Sequence, residues 1–177
     1  MLSRLFAAVR GLVYASGFVL LWWWVVQSAL PLDAEIGWEM PQWAGPIGAV
    51  VATAGGALAL VCIVSFALVG TGTPAPFDAP RDVVAVGPYR FVRNPMYLGA
   101  IGVIVGAGLM LGSPAALGVA LGFLVLAHLF VVLYEEPALE RRFGESYRRY
   151  KASVNRWLPR APRQPVAPAD RAAGGQP

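Results

Sequence analysis

Two short stretches hold the residues able to do polar chemistry in a mostly apolar chain. The first, GPYRFVRNPMYLG at residues 87–99, sets Arg90 and Arg93 just before Asn94, Pro95 and a long apolar run. The second, HLFVVLYEEPALERRFGESYRRYKASV at residues 128–154, carries the adjacent carboxylates Glu135 and Glu136 where another apolar run ends. Guanidinium groups bind carboxylate or phosphate, and carboxylates bind ammonium groups or ribose hydroxyls. Brought to one place, the two stretches suit a zwitterionic or amino-acid-bearing cofactor. The same groups also have a structural use, since arginines orient a membrane helix and Arg/Glu pairs can form a salt-bridge cluster. Adjacent glutamates fit that use less well, because like charges at a bilayer edge repel and acids contribute little to orientation.

The elements that must position these groups are membrane spans. The chain has 177 residues, 57% of them apolar and 14% charged, against about 25% charged in soluble domains. Four segments approach the ~20 apolar residues that a bilayer core requires: about 11–30, 44–70, 95–112 and 114–134. The first is too long for a signal-peptide core and lacks a good cleavage site, so it reads as a span. The expected fold class is an all-α membrane protein with four transmembrane helices, a cytoplasmic cofactor-binding loop and a C-terminal interfacial helix.

Charge gives the expected orientation. All 14 Lys and Arg residues lie at the N-terminus, in the second loop, or after the fourth span. By the positive-inside rule both termini and the second loop are cytoplasmic, in a multi-pass protein of the cell membrane. The first loop holds only acids, Asp33, Glu35 and Glu39, beside Trp38 and Trp43. The +4 net charge therefore serves orientation and attraction to membrane lipids, and gives no sign of a nucleic-acid partner. A single cysteine, Cys62, excludes a disulfide framework and a cysteine-based metal site.

The expected organisation is a two-span scaffold over residues 1–70, a core over 71–158 and a disordered tail over 159–177. The core opens with a loop over 71–93, whose four prolines suit an ordered functional loop or a lid over a ligand. Asn94 and Pro95 are the start signal of the third helix, and Ser113 and Pro114 that of the fourth. The third span carries glycines 99, 102, 106, 108 and 112, which predict close helix packing within the hairpin. Pro137 should kink or end the fourth span. Leu139, Phe143, Tyr147, Tyr150 and Val154 then predict one further helix with an apolar face against the interface. The hairpin should bring Arg90, Arg93, Glu135 and Glu136 to one cytoplasmic mouth.

In combination, G-x-Y-x-x-x-R-N-P-x-Y-x-G and, one hairpin later, E-E-x-x-L-x-x-x-F-G-x-x-Y-x-x-Y resemble the core of the isoprenylcysteine carboxyl methyltransferase and phospholipid methyltransferase superfamily. The resemblance covers roughly residues 71–158 and leaves the first two spans without a readable signature. It implies S-adenosylmethionine as methyl donor, S-adenosylhomocysteine as product, and a lipophilic small-molecule or lipid acceptor arriving from the bilayer. Carried over by position, it places cofactor contacts at Arg81, Asp82, Val83, Val84, Tyr89, Asn94, Pro95, Met96, Tyr97 and Glu135, with Glu136 beside them. Catalytic candidates are Arg93, Asn94, Tyr97 and His128; no metal is implied.

Two departures bear on the chemistry. Asn94 stands where many members have histidine, and its amide donates and accepts hydrogen bonds but does not titrate near neutrality. Val131 stands where prenylcysteine enzymes place an arginine, which argues against a prenylated-cysteine carboxylate as acceptor. His128, seven residues before Glu135, is either a base or a histidine hydrogen-bonded inside the bundle, and Asp78 either touches the acceptor or caps a turn. The leading reading is a membrane methyltransferase acting on a small lipophilic or lipid acceptor. The alternatives are a phospholipid amine N-methyltransferase and, from another class, a non-catalytic membrane protein that binds a ligand or assembles partners on the same fold. Oligomeric state is left open.

Overall fold

The structure, a computed structural model, describes residues 2–69 and 85–160. Among these the chain is helical throughout, with no strand and one isolated bridge. Helix α1 (Leu2–Ala29) leads through a 3₁₀ turn into the single turn α2 (Asp33–Ile36), and α3 follows (Ala44–Val69). A second 3₁₀ turn (Gly87–Arg90) precedes the hairpin of α4 (Pro95–Leu111) and α5 (Pro114–Phe130). A π-helical turn (Val131–Glu135) then joins α5 to α6 (Glu136–Phe143), and α7 (Glu145–Ser153) ends the helical part.

Three stretches are long and apolar enough to cross a membrane: Ser16–Ile36, Ala44–Ser65 and Pro114–Phe143. Helix α4 is apolar but has 17 residues, at the short end of what spans a bilayer. Leu121, Leu126 and Leu133 on the long third stretch are more than half exposed, as a lipid-facing surface requires and a water-facing one rarely tolerates.

The closest helix packing is between α3 and α4, not within the hairpin as the glycine pattern suggests. A Cβ on Gly55 would lie 2.6 Å from the Gly99 carbonyl oxygen, and one on Gly106 would lie 2.6 Å from that of Gly48. Gly99, Gly102 and Gly106 recur at helical spacing and form one face, laid against Gly48, Val51, Ala52, Gly55 and Ala59. Only Gly108 turns toward α5, against Ala116 and Leu117, while Gly118 and Gly122 meet nothing within 4 Å. The partner of α4 is thus the helix that supplies matching small residues. Gly106→Ala is expected to lower stability in detergent by about 1–3 kcal/mol through overpacking. Gly118→Ala, measured by the same thermal unfolding, should be neutral or slightly stabilising.

The other face of α4 meets α5 and α1 in a core of Val26, Ile104, Ala116, Ala120, Phe123 and Ala127. Trp22 of α1 packs edge-on to Phe123 with centroids 4.6 Å apart. At the far end of the hairpin, the Ser113 Oγ accepts from the Ala116 amide at 3.0 Å, as expected of an N-cap. Asp33 Oδ1 accepts from the Ala115 amide at 2.8 Å, so this acid of the first loop also neutralises a helix N-terminus.

Pro137 does not stop the helix. The π turn ends with the Glu136 amide bonded to the Val131 carbonyl, and Pro137 follows as the second residue of α6, so the long apolar helix runs on to Phe143. A widened turn absorbs the bond that proline cannot donate. The expected single interfacial helix is instead two, separated by Gly144 at φ 53 and ψ −123, a conformation that glycine alone adopts readily. Its apolar face is not left for lipid: Tyr147, Tyr150 and Val154 are buried with Leu139, Phe143 and Ala85 around them. The Tyr150 hydroxyl donates to the Tyr89 carbonyl at 2.7 Å, docking α7 on the turn before α4.

Past α7 the chain forms a strap across this turn. Val92 and Asn155 form a parallel bridge. The Arg93 amide donates to the Asn155 carbonyl at 2.8 Å and the Arg160 amide to the Phe91 carbonyl at 2.9 Å. Structure therefore continues to Arg160, one residue past the start of the expected tail at 159. The rest of that tail and loop residues 71–84, with Asp78, Arg81, Asp82, Val83 and Val84, lie outside the described residues.

Candidate functional site

The mouth of the hairpin gathers Arg93, Asn94, Tyr97, Glu135 and Glu136. Arg93 lies two residues before α4, with its side chain about nine-tenths buried, and its Nη2 is 3.2 Å from Glu136 Oε1. Its Nε and Nη1 are buried without a hydrogen-bond partner among the described residues. Arg90 is exposed at the end of the 3₁₀ turn, so the expectation that both arginines meet the glutamates holds only for Arg93. The second cation is Arg156 of the strap, whose Nε and Nη2 reach the two oxygens of Glu136 at 2.7 and 2.9 Å. This pairing also raises the pKa of Arg156.

The two adjacent glutamates therefore have different surroundings. Glu136 is 5% exposed and held by two guanidinium groups. Glu135 instead accepts a hydrogen bond from the Tyr97 hydroxyl at 3.0 Å through Oε2. Its Oε1 makes no hydrogen bond among the described residues. Successive helical residues point about 100° apart, which sends one carboxylate toward Arg93 and the strap and the other toward Tyr97.

Asn94 occupies the expected place before α4 but does not cap it with its side chain. Its Nδ2 donates to the Arg156 carbonyl at 3.2 Å, tying the helix start to the strap. Pro95 is buried behind it, and Met96 turns the other way, against Cys62 and Tyr89. Burial raises the pKa of Tyr89, with Cys62 adding to the shift, and burial likewise raises that of Tyr150. Burial first, and then the Glu136 charge, push the Tyr147 hydroxyl up to about 12, with Arg93 opposing. These phenols are neutral at physiological pH, and that of Tyr150 donates a hydrogen bond.

His128 is hydrogen-bonded, as one sequence reading expects, but it is exposed, and its partner lies outside the bundle. Its Nδ1 accepts from Trp157 Nε1 at 3.0 Å. Trp157 also packs edge-on to Tyr97, with centroids 6.3 Å apart. Val131, where an arginine would meet a prenylcysteine substrate, is 1% exposed. Sequence reasoning missed Arg156 and Trp157. The only signal is a cation next to a tryptophan just past the last periodic apolar residue, and nothing in it names a partner 20 residues earlier.

A family model described as phospholipid methyltransferase matches residues 44–146. The chain belongs to the phospholipid methyltransferase family. It is thus a methyltransferase by family, on helices able to enter a membrane. The match begins at α3, so the second predicted span, which shows no signature by eye, lies within the family's region. It ends at residue 146, before the strap. An uncharacterized protein of Haemophilus influenzae is 42% identical over 64 residues, which make up 36% of this chain and all of that protein. No solved structure matches the chain significantly.

Proposed function

We propose that the chain transfers a methyl group from S-adenosylmethionine to a lipophilic acceptor at the mouth of the α4/α5 hairpin. The family's description favours a phospholipid head-group amine as that acceptor. The observation that carries the reading is Arg93: a buried guanidinium whose Nε and Nη1 make no hydrogen bond among the described residues, paired with Glu136, whose neighbour Glu135 has a carboxylate oxygen to spare. Such an arrangement fits an amino-acid zwitterion, its carboxylate on Arg93 and its ammonium on Glu135. Glu136 then serves as the counter-ion that keeps Arg93 charged and in place. Tyr89, Asn94 and Tyr97 would line the cofactor with Pro95 and Met96 packed behind them, and Arg81, Asp82, Val83 and Val84 would be further contacts.

The bound sulfonium supplies an already electrophilic methyl group, so the protein's task is alignment and exclusion of water. An amine acceptor must also lose a proton, and Asn94 offers no titrating group for that step. The proposed topology has four spans, with α4 as the short one, enclosed by α3 and α5. The 1–70 segment is the scaffold, and both termini and the mouth lie on the cytoplasmic side, as the Lys and Arg distribution favours.

The test is cofactor binding. S-adenosylhomocysteine is expected to raise the unfolding temperature of the purified full chain in a dose-dependent way, because a ligand that binds only the native state stabilises it by mass action. No shift at millimolar ligand would remove the cofactor assignment.

A further inference from the structure

His128 is the chain's only histidine, and its environment assigns its chemistry. Trp157 Nε1 donates to His128 Nδ1 at 3.0 Å. An indole N–H can only donate, so the neutral imidazole carries its proton on Nε2 and the Nδ1 lone pair is occupied. That leaves the Nε2–H of the ring to give a hydrogen bond.

The ring's position shows what would receive that bond. His128 comes 15 residues after the Ser113 cap, or about 22 Å along a helix at 1.5 Å per residue, still within a hydrocarbon core of about 30 Å. It is exposed there, between exposed Val125 and Leu129 on the same helix. A polar N–H facing hydrocarbon is costly without an acceptor. The tryptophan that fixes the ring is itself fixed. Its neighbour Arg156 grips Glu136 with two bonds, and the strap is tied to backbone on both sides through Asn155 and Arg160. Trp157 packs against Tyr97, whose hydroxyl donates to Glu135. Glu135, Tyr97, Trp157 and His128 thus form a continuous wall from the proposed cofactor site to the lipid-facing flank of α5.

We propose that His128, presented by Trp157, donates a hydrogen bond from Nε2 to a head-group oxygen of the methyl acceptor and holds that molecule beside the site. It does not act as the acceptor's general base. The proposal rests on the methyltransferase reading for the acceptor's identity, but the oxygen-recognition site stands or falls by a separate measurement. The oxygen belongs to either a carboxylic ester, which lies at the edge of the hydrocarbon core, or a phosphodiester just beyond that edge.

The test uses full-length protein without a histidine tag, labelled with ¹⁵N-histidine, in detergent micelles. The single imidazole is expected to show the Nε2–H tautomer. Added phosphatidylethanolamine should shift its Nε2–H proton downfield, and Trp157→Phe should weaken that response. A shift with diacylglycerol as well assigns the ester oxygen; a shift with phosphatidylethanolamine alone assigns the phosphate. An Nδ1–H tautomer, or no response to either lipid, overturns the proposal. In methyl-transfer assays with a host lipid extract, His128→Leu should raise the acceptor KM about tenfold, the loss of one hydrogen bond, with kcat little changed. His128→Gln, which keeps an N–H donor, should restore most of this; a collapse of kcat in both variants would instead mark a base. S-adenosylhomocysteine stabilisation of the same samples separates failure of the cofactor reading from failure of this one.

Discussion

Glu135→Gln is expected to weaken stabilisation by S-adenosylhomocysteine strongly while leaving the melting temperature of the free protein nearly unchanged. The variant is close to isosteric, and its amide oxygen can still accept from the Tyr97 hydroxyl, the bond that Glu135 makes in the structure. The fold therefore loses little. The variant does lack the negative charge that would meet a ligand ammonium. A hydrogen bond to a charged group is worth roughly 1.5–3 kcal/mol, so affinity should fall between about 10-fold and 100-fold. Tyr97→Phe, which removes only the neutral donor that orients the carboxylate, should weaken binding less. An undiminished thermal shift in Glu135→Gln would assign the ammonium elsewhere and leave Glu135 as a partner of Tyr97 alone.

The neighbouring residue should behave in the opposite way. Glu136→Leu is expected to destabilise the free protein by about 3–5 kcal/mol, because it leaves a buried charge without its counter-ion. That is a large fraction of the ~5–15 kcal/mol that holds a typical domain together. The charge concerned is Arg93, whose side chain is 9% exposed and whose remaining N–H groups have no partner among the described residues. Arg156→Gln should cost less, since the Arg156 side chain is 31% exposed and can be partly solvated when its bonds are lost. Adding Arg93→Leu to Glu136→Leu should recover stability, because removing both charges is cheaper than stranding one. Thermal unfolding of the three variants decides the matter; an unchanged melting temperature in Glu136→Leu would remove the counter-ion role. Together the two experiments would divide the double glutamate into one residue for the ligand and one for the fold.

How far these roles are legible in the sequence depends on whether the cause is local. Asn94 and Pro95 before α4, and Ser113 and Pro114 before α5, are local signals, and both helices start where they indicate. The arrival of Arg93 and the glutamates at one mouth follows from a short hairpin turn and needs no long-range information. The choice of partner for the Gly99, Gly102 and Gly106 face is not local, since spacing defines a face but not the helix laid against it. The continuation through Pro137 is hidden for a different reason. A rule about the missing i−4 bond does not foresee a turn wound one residue wider. Arg156 is the hardest case, because a solvated cation and a bidentate counter-ion look alike until the chain is folded.

The strap has a consequence for the order in which the protein can be made. Glu136 and Arg93 leave the ribosome well before Arg156, and at that stage the hairpin holds two of the three charges that the finished protein sets against one another. Trp157, which fixes His128, arrives one residue later still. The hairpin can enter the bilayer early, but its mouth cannot take its final form until residues 154–160 have emerged and folded back over the start of α4. The site is therefore completed last, and a chain released shortly before Arg156 would carry the family-matched region with its polar groups unlocked.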